Sequence, residues 1–267
     1  MDEFGLIARY FAPLAARDPG ALSLSDDAAV LDLPLGARLV AATDALVAGV
    51  HFLPDDPPGD IARKMMRVNL SDIAAMGAVP RAVLLAAILP RGTGEDWIAA
   101  FAAALGEDTA TFGAPLVGGD TVATDGPLTL SLTALGVADA RGVLTRAGAG
   151  AGDDIYVSGT IGDGALGLKV LQGDIPGLAD DLAAALIARY RVPSPRLALG
   201  QALVGVASAC MDVSDGLIGD LRHICECSGH GARLTAAALP LSRAARWALG
   251  RDPQLMASVL TGGDDYE

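Results

Sequence analysis

The hydrophobic pattern changes period along the chain. Phe4, Ile7, Tyr10, Phe11 and Leu14 recur at helical spacing and predict a helix over 2–16. Apolar runs at 28–33 and 38–43 predict two short strands, and 45–58, rich in Pro and Asp, reads as a loop. Apolar positions 61, 65, 68, 70, 73 and 76 predict a strong helix over 60–77, with Gly77 as its stop. The run 82–89 reads as a buried strand and 94–112 as a second helix. A short strand over 115–117 should end at Gly118-Gly-Asp-Thr121, and 128–137 should form another.

The glycine-rich stretch 141–153 has little to pack and marks a domain boundary. Beyond it the pattern predicts strands over 154–158 and 209–213. Helices are expected near 165–172, 178–190, 195–206 and 215–227, the last capped by Ser214. Leu260-Thr-Gly-Gly-Asp-Asp-Tyr-Glu267 reads as a strand running into a loop with nothing to close the fold, so the second domain is expected to be incomplete at 267. The order of elements predicts an α/β chain with mixed sheets flanked by helices, in two domains, 1–140 and 141–267.

Composition narrows the function. In 267 residues no segment approaches the roughly 20 apolar residues of a membrane span. The acidic start Met1-Asp-Glu-Phe is unlike a secretory leader, and three cysteines argue against a disulfide scaffold and for a reducing cytoplasm. A net charge of −13 with 19 basic residues disfavours nucleic acid. It leaves phosphate ligands open, because a divalent cation reverses the local sign where carboxylates gather.

The acids sit at strand-to-loop junctions: Ser25-Asp-Asp27, Thr43-Asp44, Gly119-Asp120, Asp212 with Asp215, and Asp264-Asp265. Strand ends are where α/β folds place ligands, and magnesium suits a few carboxylates supplemented by water and phosphate oxygens. Asp and Gly are also ordinary turn residues, which accounts for any one of these places but not for the apolar lead-in to each. Asp72 lies within the stripe Met65, Val68, Met76, so it needs a cation or a metal, and spacing does not choose between them.

Gly159-Thr-Ile-Gly-Asp-Gly164 precedes a helix and offers backbone N–H groups to an anion, although a plain strand–helix turn explains it as well. No P-loop occurs. His223, Cys225, Cys227 and His230 lack zinc spacing and read as helix-surface residues. His51 and Arg146 are single polar residues in loops, each with an ordinary packing or ion-pair explanation.

Taken in order, Ser25-Asp-Asp-Ala-Ala-Val30, Thr43-Asp-Ala-Leu-Val-Ala-Gly-Val-His-Phe52, Asn69-Leu-Ser-Asp-Ile-Ala-Ala-Met-Gly77, Gly118-Gly-Asp-Thr121, Leu144-Thr-Arg146, Asp212-Val-Ser-Asp-Gly-Leu217 and Gly262-Gly-Asp-Asp-Tyr-Glu267 resemble the thiamine-monophosphate kinase family. The resemblance runs from residue 2 to the end. It implies the two-domain fold of aminoimidazole ribonucleotide synthetase, ATP as co-substrate, several Mg2+ ions, thiamine monophosphate as acceptor and a cytoplasmic homodimer formed through the N-terminal domains. It further implies magnesium ligands at Asp27, Thr43, Asp44, Asp72, Asp120, Asp212 and Asp215. Nucleotide contacts fall at Gly119, Asp120, Arg146 and Ser214, and substrate contacts at His51 and Asp264. Asp72, Asp120, Asp212 and Arg146 are the residues assigned to catalysis. Ser25 stands where the family has Gly, and Ala42 where some members have Ser. Another ATP-using member of the superfamily, or an inactive homologue that binds metal and nucleotide, is the alternative.

Overall fold

A computed structural model of the protein describes residues 3–26, 28–138 and 140–267. The chain divides into two compact units. One comprises Met1–Ile73 with Ala78–Arg141, the other Ala74–Gly77 with Gly142–Glu267.

The first unit opens with α1 (Glu3–Leu6), a π turn (Ile7–Phe11) and α2 (Ala12–Ala15), a nearly continuous helical segment as its spacing predicts. Its centre is a mixed sheet of order β1-β4-β2-β3. The strands are β1 (Arg38–Val47), β2 (Val79–Pro90), β3 (Leu116–Thr124) and β4 (Thr129–Ala138). β4 pairs antiparallel with both β1 and β2, whereas β2 and β3 are parallel. A parallel pair requires a crossover, and α4 (Glu95–Thr111) supplies it.

Leu130, Leu132, Ala134 and Ala138 of β4 are buried on one face of the sheet. Gly136 shares that face. A Cβ there would lie 2.9 Å from Ile73 of α3 (Pro58–Ala75), so glycine permits the close approach of helix to sheet. α3 is more enclosed than its stripe implies: Lys64, Asn69 and Ser71 are buried along with Met65, Val68 and Ile73.

Three predicted features of this unit are corrected. Residues 28–33 form no strand, because Ala29 and Leu31 instead pack with Leu24 on Ala82, Val117 and Leu84 of the sheet. β1 runs on to Val47, carried by its ladder with β4, so the loop begins later. β3 passes through Gly118-Gly-Asp-Thr121 to Thr124. Gly119 has φ +155°, and a Cβ there would lie 1.9 Å from the Leu85 carbonyl oxygen, so this glycine permits strand contact where the sequence suggests a stop.

The second unit contains α5 (Asp163–Gln172), α6 (Asp180–Arg191), α7 (Leu197–Leu203), α8 (Leu217–Ser228), α9 (Arg243–Arg251) and α10 (Leu255–Thr261). Ile161, Leu166, Leu186, Val213, Leu217, Ala245 and Val259 form its core. Segments 154–158 and 209–213, predicted as strands, join no ladder among the described residues. The approach to the terminal Gly-Gly is helical, not extended, because Leu255 and Val259, four residues apart, both pack into the core. α9 has no counterpart in the sequence-based prediction. Ser242 caps it by accepting the Ala245 N–H at 2.9 Å.

Candidate active site

In the first unit the register decides which way each candidate points. Thr43 pairs with Thr133 and Asp44 with Leu132, so the two side chains leave β1 on opposite faces. Asp44 shares the face of buried Leu132, on the side of α3. There the fully buried Asn69 accepts the Asp44 backbone N–H at 3.0 Å and anchors itself by donating to the Met65 carbonyl at 2.9 Å. Asp72 follows Asn69 by three residues on the same helix and is half-buried. Thr43 occupies the other face, donating to the Leu132 carbonyl at 3.1 Å while its hydroxyl oxygen accepts from Thr133 at 3.2 Å. Asp120 pairs with Ala86, which pairs with Ser131, and it therefore lies on the Thr43 face, exposed. Its Oδ1 accepts the Thr121 N–H at 2.8 Å.

Beside Asp120 a cavity of about 460 Å³ opens under the N-terminal segment, walled by Phe11, Leu24, Leu84 and Leu116, with Gly119 and Asp120 in its lining. Asp27 lies outside the described residues. His51 follows β1 in an exposed turn. Its Nδ1 accepts the Val47 N–H at 3.1 Å, which in the neutral ring leaves the proton on Nε2, and the buried Lys64 donates to its carbonyl at 3.0 Å.

In the second unit the structure brings two acid motifs together. Val213 N–H donates to Glu267 O (3.0 Å), Tyr266 N–H to Val213 O (2.7 Å) and Asp264 N–H to Ser214 O (2.9 Å). Asp212 and Ser214 thus lie alongside Asp264, with Asp212 buried and Asp215 exposed. The turn is shaped by Asp220 rather than by a Ser214 cap. Its Oδ2 accepts the N–H groups of Asp215 (3.0 Å) and Gly216 (3.1 Å) at the start of α8. Burial, and then the Asp215 charge, push the Asp220 pKa up against the pull of the Asp215, Ser214 and Gly216 N–H groups.

The glycine turn 159–164 is an anion cradle, and its anion is internal. Gly162 and Gly164 donate to Asp265 Oδ2 and Oδ1 at 2.6 and 3.0 Å. Arg146 is exposed, its carbonyl accepting from Ser228 at 3.3 Å.

Asp220 and Glu267 are not singled out by the sequence, nor are Arg189 and Arg196, which hold Glu267, and Asp265 stands out there only as a strand-end acid with no assigned role. The signals available were an acid in the first turn of a glycine-started helix and the alternation Asp265-x-Glu267. Neither is specific without the fold. Among the described residues, no group of three His, Cys, Asp or Glu side chains is gathered closely enough to hold a metal by itself. His223, Cys225, Cys227 and His230 accordingly form no metal cluster.

Residues 25–138 match the family model described as AIR synthase related protein, N-terminal domain, which sets the class of this α/β fold. The thiamine-monophosphate kinase of Caulobacter vibrioides is 46% identical over 268 residues, spanning 99% of this chain and 75% of that protein. The solved thiamine-monophosphate kinase of Stenotrophomonas maltophilia superposes with a TM-score of 0.88 at 42% identity, covering 100% of this chain and 84% of that one. AaThiL complexed with AMPPCP and TMP superposes with a TM-score of 0.81 at 29% identity, covering 99% of this chain and 82% of that one. The chain belongs to the thiamine-monophosphate kinase family, and is thus an enzyme of the phosphotransferase class.

Proposed function

We propose that the protein transfers the γ-phosphoryl group of ATP to thiamine monophosphate, giving thiamine diphosphate, by direct in-line attack. The observation that carries this reading is the 46% identity, across 99% of the chain, to an enzyme of that name. The AaThiL complex with AMPPCP and TMP supports both substrates.

The donor chemistry suits magnesium. Asp44, Asp72, Asp120, Asp212 and Asp215 offer only oxygen, the donor type of a cation held by one or two carboxylates with phosphates and water completing the shell. Asp44 and Asp72 would hold such ions in the first unit and Asp212 with Asp215 in the second; Asp27 and Thr43 complete the assigned set. Magnesium, when bound, neutralises charge on the phosphates.

The chain's own part is placement. Asn69 fixes the Asp44 backbone, and Gly119 lets β3 lie against Leu85 where the nucleotide is assigned. The apolar cavity beside Asp120 suits a purine base. Arg146 offers an exposed guanidinium to phosphate oxygens, and Ser214 holds the nucleotide. His51 presents Nε2–H to the acceptor substrate, and Asp264 offers a carboxylate to its thiazolium cation. The attacking phosphate oxygen is already ionised at neutral pH, so no strong general base is required.

Two copies pair through the first unit in this reading, a role for the sheet face that leaves Leu39 and Val122 exposed. No helix among the described residues is long and apolar enough to cross a membrane. The cytoplasm, where the three free cysteines stay reduced, is the proposed compartment. Quenching turnover with γ-labelled ATP tests the direct path: the label should appear in thiamine diphosphate and not in protein. A kinetically competent phosphoprotein would refute it.

A further inference from the structure

The last four residues of the second unit alternate in kind. Asp264 and Tyr266 have φ of +71° and +54°, the left-handed region that side-chain-bearing residues rarely adopt. Asp265 and Glu267, between and after them, are buried acids, and neither side chain retains solvent exposure. Asp265 takes the two N–H groups of the 159–164 turn. Glu267 is held from three directions. Ser158 donates at 2.9 Å, Arg189 at 2.5 Å, and Arg196 donates Nε at 2.6 Å with a second bond from its Nη2. Arg189 also donates to the Asp265 carbonyl at 2.8 Å, so one guanidinium ties both anchors. Turn and segment touch closely: a Cβ at Gly164 would lie 2.3 Å from the Asp264 carbonyl oxygen.

A left-handed residue pair persists only where its surroundings over-determine it, and such pairs collect at ligand clamps. Asp264, the residue so fixed, lines an open cleft of about 350 Å³ with Lys169, Gln172, Ser258 and Thr261. We propose that Asp265 and Glu267 are positioning residues for the kinase reaction, holding Asp264 and the paired Ser214 segment in the geometry that receives the acceptor substrate. This rests on the kinase reading and adds to it two residues that touch neither substrate.

The charged groups facing Asp265 are Asp163, whose oxygens accept from Thr160 and Ser242, and Arg189, which also pairs with Glu267. Burial foremost, then Asp163, raises the Asp265 pKa to about 6, against the pull of the Gly162 and Gly164 N–H groups and of Arg189. Above that pH both oxygens accept; below it one carries a proton and an N–H loses its partner.

The test is steady-state kinetics of Asp265→Asn and Glu267→Gln in the full chain, with Arg196→Lys, which keeps charge and loses the fork, replacing either if it folds poorly. The KM for thiamine monophosphate should rise about tenfold while the KM for ATP stays within about twofold. Protonated Asp and Asn offer the same single acceptor oxygen, so the wild-type advantage over Asp265→Asn in kcat/KM should shrink towards parity as pH falls through about 6. A wild-type KM for thiamine monophosphate in the variants, or an advantage independent of pH, overturns the positioning role alone. Absence of thiamine-monophosphate-dependent turnover in the wild type overturns the kinase reading and this proposal with it.

Discussion

Asp265 makes a stability prediction whose sign runs opposite to its proposed benefit. Its carboxylate is fully buried, and burial, followed by the Asp163 charge, lifts its pKa from 3.8 to about 6. That rise corresponds to about 3 kcal/mol of differential interaction between the two protonation states. Because the folded value lies above the unfolded one, the group favours folding most below 3.8, and that contribution disappears as pH rises through about 6. Asp265→Asn is neutral at every pH and does not lose it. Urea denaturation of both proteins from about pH 4 to about pH 8 should therefore show the variant gaining relative stability with pH, by up to about 3 kcal/mol. The gain should occur over the interval in which the variant falls behind in kcat/KM. A stability gap independent of pH, or one that grows in favour of the wild type, would refute the claim that the buried anion is held at a cost to folding.

Other residues give sharper single outcomes. Asp72→Asn should lower kcat about a hundredfold or more while leaving the thermal midpoint within a few degrees, and near-normal turnover would exclude a metal role. Gly119→Ala places a methyl on the Leu85 carbonyl oxygen, so it should destabilise the first unit by about 2 kcal/mol or more and weaken ATP binding, read by denaturation and calorimetry. Arg67 makes a two-pronged pair with buried Asp108 at 2.7 and 3.0 Å, and its guanidinium lies 5.4 Å over the Phe112 ring. Arg67→Ala strands that carboxylate and should cost about 3 kcal/mol, whereas a urea midpoint like the wild type's would show the pair contributes little.

How much of this was legible in the sequence depends on what each residue answers to. The α3 helix and β2 follow from hydrophobic period alone, because each is long and its apolar residues meet the core. The backbone role of Asn69 was hidden: nothing local distinguishes an amide that holds a strand N–H 25 residues away. Gly118-Gly119 carried a local stop signal that tertiary contact reversed, since the missing Cβ is what lets β3 pack against Leu85. Segment 209–213 has the composition of a strand, yet its backbone bonds run to Thr145 and Glu267, partners that a linear pattern does not name. In the terminal motif the pattern marked Asp264 and Asp265 alike and the resemblance singled out Asp264, whereas the bonds that hold that residue belong to Asp265 and Glu267 and to arginines on distant elements.

The central claim is phosphoryl transfer to thiamine monophosphate, and ADP release tests it most directly. With ATP and Mg2+ present, the account predicts that ADP appears only when thiamine monophosphate is added, in a one-to-one ratio with thiamine diphosphate, and that chelating the metal stops both. ADP formed at the same rate with and without thiamine monophosphate, or none formed in either case, would contradict it.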